Sequence, residues 1–312
     1  MSLLTLIITL LLEQLHPLAA RKHLAGWLSA YTSLFQRYFN AGQRKQGKLA
    51  WLLAVLPLLV AVIVAFWLLD RLHPILALGF NVLVLYLTMG FRQFSHYYTD
   101  IHLALREGNL DEARALLAGW RGLPAHELNT EQVARLTIEE GLLAAQRNVF
   151  GVIVWFVLFG ALGLGGAAGA LLYRLGQFLR VRWAGEDAGA PQVFGAFAQK
   201  AFYLLEWLPL RLTAMTFAIV GDFENTIHCW RTQAASWPDP EAGILLASGA
   251  GALGVRLGMP IPQHGLPLDR PLLGDGDAAD TDFMQSAIGL VWRSVVFWML
   301  LLLLLTLAHL VG

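Results

Sequence analysis

Four stretches of the chain stay apolar for about the 20 residues that a helix needs to cross a hydrocarbon core. They are Leu49–Leu69, Leu72–Phe91, Asn148–Tyr173 and Ser294–Gly312. Only Asp70-Arg71 separates the first two, which predicts a helical hairpin with hardly any loop; Pro57 inside it is tolerable in a buried span. Asn148–Tyr173 is glycine-rich in its second half and reads in two ways. It is either one packing helix with Gly165 and Gly169 as a small-xxx-small contact, or a re-entrant pair turning among Gly160, Gly163, Gly165, Gly166 and Gly169. Arg174, Arg180 and Arg182 follow at once, and the preference for basic residues on the cytoplasmic side tips the balance to re-entry. Three more stretches are short or interrupted. Residues 1–12 stop at Glu13, too short for a span and without the basic start or cleavage site of a signal peptide. Residues 201–221 are broken by Glu206, Pro209 and Arg211, and residues 242–255 carry Gly243, Gly249, Gly251 and Gly254. Such segments lie in the interface, re-enter, or pack against protein.

The polar parts read as helix, then loop. Asn109 is placed to cap a helix with Asp111 and Glu112 in its first turn, and Asn129 or Thr130 to cap another running through Val133, Leu136, Ile138 and Leu142. Ser236 to Thr281, rich in Pro, Gly and Asp, predicts an extended surface loop. Nothing alternates with period two and no repeat is evident. The expected fold class is all-α: a polytopic helical membrane protein with about 4–5 transmembrane helices plus re-entrant or interfacial helices. Its predicted segments are an N-terminal interfacial or cytoplasmic stretch (1–48), a transmembrane hairpin (49–91), a cytoplasmic helical region (92–147), a membrane region with re-entrant or broken helices (148–221), a Gly/Pro-rich cytoplasmic loop region (222–293) and a C-terminal transmembrane helix (294–312). Arg21, Lys22, Arg37, Arg44, Lys45 and Lys48 before the first span put that end, and the main loops, in the cytoplasm.

Composition agrees. Hydrophobic residues make up 57% and charged residues 14%, against about 45–50% and 25% in soluble domains. A disordered chain is excluded, the composition argues strongly against a wholly soluble one, and the lipid bilayer is the first partner implied. Formal net charge is zero, so no positive field points to nucleic acid. A single cysteine, Cys229, excludes a disulfide framework, and no haem, zinc or iron–sulfur site is expected. Phosphate-loop, dinucleotide and H-E-x-x-H motifs are absent. His16 and His23 share a helix face without making a site, and His96 with Asp100 is a surface pair. Glu206 and Arg211 carry more weight, because ionisable residues inside apolar segments are costly unless paired or wet. The plainer alternative is an interfacial helix with both on its polar face.

At this stretch a resemblance emerges. Glu206-Trp207-Leu208-Pro209-Leu210-Arg211-Leu212-Thr213-Ala214 resembles the "N-[WY]-[IVL]-P-A-R-L-T-A" signature of the CobD/CbiB membrane family of cobalamin biosynthesis. Gly108 to Arg114 resembles its "G-D-L-x-x-A-R", Pro240-Glu241-Ala242-Gly243 its "S-P-N-A-G", and His16-Pro17 its early "H-P". Gly251 to Gly258 is similar throughout to "G-A-L-G-V-R-L-G", and Arg270 to Gly276 to "R-P-x-L-G-D-G". The resemblance implies a multi-pass protein of the bacterial inner (plasma) membrane. It also implies an activity, the joining of adenosylcobyric acid to aminopropanol, usually as its phosphate, by an ATP-dependent amide bond with Mg as cofactor.

The chain departs from the family where acids are expected. For "V-E-S-V-A-E-N-x-x-D-G" it has Ile138 to Asn148, which keeps Glu139 and loses the later Glu-Asn-Asp set. "N-T-L-D-[SA]-M" gives way to the surroundings of Gln177–Arg180, and the aspartates before the Trp-Leu-Pro block to Tyr203-Leu204-Leu205. These departures resemble the AmpE-type branch linked to β-lactamase regulation. Two readings follow: a ligase of the cobinamide-phosphate synthase type, or a non-catalytic sensor or signalling modulator with a ligand in the same cleft. A transporter is weaker, for want of repeated halves. Glu139 and Asp275 are the candidate catalytic acids. Arg114, Arg211, Arg256 and Gly254 are candidates for binding phosphate or substrate, a corrinoid or another anionic small molecule. No metal ligand set and no oligomeric state are implied.

Overall fold

The computed structural model describes residues 2–15, 21–39, 44–184, 194–263 and 266–311. It is overwhelmingly helical. In chain order the helices are α1 (Ser2–Leu15), α2 (Arg21–Phe39), α3 (Arg44–Leu72), α4 (Pro74–Thr88), α5 (Phe91–Arg106), α6 (Leu110–Arg121) and α7 (Thr130–Ala145). A π-helical turn (Gln146–Phe150) continues α7 into α8 (Gly151–Ala161). Then come α9 (Gly166–Ala184), α10 (Ala196–Val220), α11 (Phe223–Gln233), a 3₁₀ turn (Ala234–Ser236) and α12 (Pro240–Leu253). Four short strands follow, β1 (Leu257–Gly258), β2 (Ile261–Gln263), β3 (Leu266–Leu268) and β4 (Leu272–Leu273), before α13 (Thr281–Val311). β1 pairs with β4 and β2 with β3, both antiparallel. The chain forms two compact units, residues 1–90 with 151–209, and residues 91–150 with 210–312.

Among the described residues, four helices are long and apolar enough to cross a membrane: Lys45–Leu72, Thr130–Ala161, Ala196–Val220 and Thr281–Ala308. The all-α membrane class is as expected, but the spans are redistributed. The hairpin exists, turning at His73 rather than at Asp70-Arg71, and His73 accepts the Ile75 N–H in front of Pro74. Its second arm is only 15 residues long. Asn148–Tyr173 is not one helix: the chain reverses at Leu162–Gly165, and its first half belongs to the long helix begun at Thr130. Residues 201–220 of the interrupted stretch lie in a continuous 25-residue helix. The outward residues of α3 (Leu53, Leu56, Val60, Val64, Leu68) and α13 (Val296, Leu300, Leu304, Leu307) are exposed. That surface suits lipid tails and would be a liability in water.

In the first unit α9 packs against α3, α4 and α8. Trp51, Ala54 and Val55 of α3 meet Leu175, Leu179 and Trp183 of α9 and Ala198 of α10, with Tyr31, Phe35 and Phe39 of α2 against the same cluster. At the α8–α9 turn Gly163 and Gly165 adopt left-handed φ of 72° and 83°. The Trp67 indole donates to the Gly163 carbonyl at 3.0 Å. Asn81, buried on α4, accepts the Ala167 N–H at 3.0 Å, satisfying one of the donors left open at the start of α9. The arginines after this turn stay on the helix: Arg180 lies over Phe202 and Tyr203, and Arg182 donates to Ser29. Pro209 explains another contact. Having no N–H, it leaves the carbonyl four residues back without its helical donor, and the Trp155 indole donates to that Leu205 carbonyl at 2.9 Å.

In the second unit α7 is packed by α5, α6, α12 and α13. The predicted caps form: Asn109 accepts from Glu112 N–H, and Asn129 with Gln132 makes a reciprocal capping box. Gly141 leaves room for the Tyr98 ring, whose hydroxyl donates to the Met284 carbonyl at 2.8 Å. Burial pushes that phenol far above its usual range, so it remains a donor. Trp298 donates to Thr216 at 2.7 Å. The expected surface loop at 236–281 is corrected over its first part: residues 240–253 form α12, almost wholly buried. Its small residues fit against Leu142, Ala234 and Asn225. That close fit offsets a glycine penalty of about 1 kcal/mol each.

Replacing Trp155 by Phe keeps the ring and removes the donor, leaving the Leu205 carbonyl unpaired at a cost of about 1–3 kcal/mol. The expected outcome is a lower melting temperature for detergent-purified W155F than for the parent. An unchanged melting curve would show that the bond contributes nothing.

Candidate functional site

Arg135 and Glu139 lie four residues apart on α7, so one helical turn puts them on one face. Both are buried, at 2% and 4% exposure. The strand segment after α12 closes on them. The Gly258 N–H donates to Glu139 Oε1 at 2.9 Å, and the Arg270 guanidinium donates through Nη2 to Oε2 in a short ion pair. The Arg270 guanidinium lies over the Trp237 ring, 4.9 Å from its centre. Arg135 reaches the same segment: Nη1 lies 3.3 Å from Met259 Sδ and 3.4 Å from Glu131 Oε1, and Nη2 lies 3.5 Å from the Pro260 carbonyl. Arg135 Nε, Arg270 Nη1 and Arg256 Nε are buried N–H groups with no protein acceptor.

The segment holding these groups is a compact knot. Gly254 ends α12 with a left-handed φ of 65°, its N–H returning to the Ala250 and Gly251 carbonyls. The Gly254 carbonyl accepts the Asp277 N–H at 3.0 Å, and the Arg256 N–H donates to the Asp277 carbonyl at 2.8 Å. Gly276 sits so close to the Gly254 carbonyl that a β-carbon there would overlap it. Asp275, exposed, accepts from Gln233 Nε2 at 2.8 Å, while Gln233 Oε1 accepts the Gly274 N–H at 2.5 Å. One α11 side chain therefore holds both Gly274 and Asp275 of the Gly-Asp-Gly turn. His228 Nε2 lies 3.7 Å from Asp275, too far for a hydrogen bond. Cys229 is buried, and burial with the nearby Asp275 charge pushes its thiol up, which argues against a thiolate nucleophile.

Of the candidates read from sequence, Glu139 stands at the centre, and Gly254, Arg256 and Asp275 belong to the knot that closes on it. Arg114 is engaged elsewhere, donating to the Leu128 carbonyl at 2.7 Å and to Asp111 at 2.9 Å, where it ties α6 to the loop before α7. Arg211 lies half-buried on α10. Glu206 is not on an open polar face: it is 4% exposed and accepts the Tyr173 hydroxyl at 2.5 Å, with Gly151 making room for that ring. His96 and Asp100 form the expected surface pair at 3.2 Å; His16 and the side chain of His23 lie outside the described residues. Arg135, Trp237, Gln233 and Arg270 escaped the sequence reading as site residues. Arg135, one turn before Glu139, was the available signal.

The donor set does not fit a resident magnesium ion. Magnesium needs one or two free carboxylates, with phosphates and water completing its shell. Both Glu139 oxygens are taken, and among the described residues no three His, Cys, Asp or Glu side chains come together.

These features define a helical membrane protein with a buried Arg–Glu–Arg centre under a glycine-shaped knot. The family described as "CobD/Cbib protein" matches residues 3–291, and the chain belongs to the CobD/CbiB family. It is 37% identical over 291 residues to "Cobalamin biosynthesis protein CobD" of Stutzerimonas stutzeri (strain A1501), covering 93% of this chain and 91% of that protein. A protein of the same name from Chromobacterium violaceum is 37% identical over 78% of this chain and 76% of its own. "Cobalamin biosynthesis protein CbiB" of Salmonella typhimurium is 27% identical over 72% and 70%. No solved structure matches the chain. These relatives lend the AmpE-type likeness no support.

The glycines of the knot differ in what they tolerate. Gly254 has open space at its β-carbon and only its φ to satisfy. Gly254→Asn should therefore accumulate in the membrane near parental levels, since Asn enters the left-handed region readily. Gly276→Ala should not, because its methyl meets backbone. Fluorescence-detected size exclusion of tagged variants checks the contrast, and equal yields would refute it.

Proposed function

We propose that the chain acts in cobalamin assembly at the cytoplasmic face of a bacterial inner membrane, joining adenosylcobyric acid to aminopropanol or its phosphate through an amide bond. The observation that carries this reading is the 37% identity to a cobalamin biosynthesis protein over 93% of the chain. The fold supports it. Glu139, the Gly251–Gly258 block and the Arg270–Gly276 block, separated in sequence, meet at one buried centre. Among the described residues no cluster of acids stands ready to hold magnesium.

One observation favours a second reading, a non-catalytic member of the family. Glu139 is closed into an ion pair, and Leu143, Ala144 and Arg147 stand where the family pattern has its further acids and amide.

Complementation separates the two. A bacterial strain lacking its cobinamide-phosphate synthase, supplied with this gene, should regain cobalamin-dependent growth. Absence of growth, with the protein demonstrated in the membrane fraction, would overturn the enzyme reading.

A further inference from the structure

We propose that Arg135 and Arg270 form a binding site for a phosphate-class oxyanion, in which the Glu139 carboxylate is a built-in competitor displaced when the ligand arrives. The inference rests on reading the Glu139 centre as the ligand site of the proposed function, and it adds the residues and the gating.

The argument starts from the supply of donors. Two guanidiniums face this centre, and Glu139 takes one N–H from Arg270 and the Gly258 amide. Arg270 Nη1 and Arg135 Nε have no protein acceptor although both are buried. Native structures rarely leave such donors unpaired without a functional reason. The acceptors that Arg135 does have are poor: a thioether at 3.3 Å, a carbonyl at 3.5 Å, and Glu131, which is 43% exposed, at 3.4 Å. Arg135 and Arg270 both attract Glu139 and repel each other, so two buried cations share one buried anion.

The shape suits a tetrahedral anion. A phosphate has more acceptor oxygens than the single carboxylate, and arginine forks bind it in bidentate fashion. Trp237 holds the Arg270 guanidinium over its ring, while Arg270 Nη1 keeps its donors unmatched. The strained element lies at the same place: Met259, the one non-glycine residue with positive φ (65°) among the described residues, holds its sulfur against Arg135. Strain of this kind gathers at ligand clamps and switches. Breaking the Glu139 contact would leave Gly258 and Met259 held only by their pairing with Leu272 and Pro271.

The test is a melting-temperature titration of the purified full-length protein in detergent, with sodium phosphate against sodium chloride at matched ionic strength. A saturable, phosphate-specific rise is expected. In Glu139→Gln the competitor is neutral, and apparent phosphate affinity should tighten by about tenfold if the closed state holds ~90% of the wild-type population. Glu139→Gln/Arg270→Gln leaves no buried carboxylate unpaired and should lose the response. A purely structural ion pair predicts lower stability in Glu139→Gln and no gain in phosphate affinity, which would overturn the proposal, as would an undiminished response in the double variant. Should Glu139→Gln fail to accumulate, Arg135→Lys decides: phosphate binding weakened about tenfold supports the fork, and unchanged binding refutes it. Repeating the titration in phosphatidylcholine and phosphatidylglycerol nanodiscs separates the sources. An effect equal in both assigns a soluble phosphate, and one lost only in phosphatidylglycerol assigns the lipid headgroup to the same site. Phosphate binding that persists without complementation would sink the enzyme reading alone; complementation without phosphate binding would sink this inference alone.

Discussion

Glu139 is a carboxylate placed where water cannot solvate it, and the second unit is arranged around that fact. Burying a charge is costly unless partners replace the lost hydration. Here an amide N–H and a guanidinium do so, and each imposes a condition on the chain. The amide belongs to Gly258, which must lie so close to Pro271 that no side chain fits. The guanidinium belongs to Arg270, which is kept in place by Trp237. Supplying both partners from one segment requires α12 to stop sharply at Gly254 and the chain to fold back through β1 and β4. The knot is the backbone solution to the solvation of one carboxylate.

The first unit answers a different constraint. In an apolar surrounding every backbone polar group needs a partner within the protein, and the irregular points of its helices show how this is met. The Leu205 carbonyl freed by Pro209 is matched by an indole, the exposed carbonyl at the α8–α9 turn by another, and the Ala167 amide by Asn81. Side chains with a polar tip on an apolar body serve here because they reach the backbone without bringing a charge with them.

The membrane class, the turn among the glycines and the caps at Asn109 and Asn129 were legible in the sequence because each depends on local residues. What could not be read depends on distant ones. Pro209, Glu206 and Arg211 look like a break in a span, yet α10 continues because partners for Glu206 and for the Leu205 carbonyl come from other helices. The glycines of residues 240–253 suggested a loop, since helix propensity counts against them, but buried contact with neighbouring helices outweighs it. Glu139 was found through its resemblance to a family pattern. Arg270 was quoted within a motif and Arg135 lay one turn away, but their meeting is a matter of tertiary structure.

The glycine-shaped knot has a consequence for how such chains are sorted. Gly251, Gly258, Gly274 and Gly276 are required by collision of a β-carbon with neighbouring backbone, a constraint that holds whatever the reactants. A descendant that had ceased to turn over substrate would still need them in order to fold. Resemblance in the Gly251–Gly258 and Arg270–Gly276 blocks is therefore a record of architecture. The history of the chemistry would be written instead at Leu143 and Ala144 of α7 and at Arg147 in the π-helical turn that follows, where the family pattern has its further acids and amide.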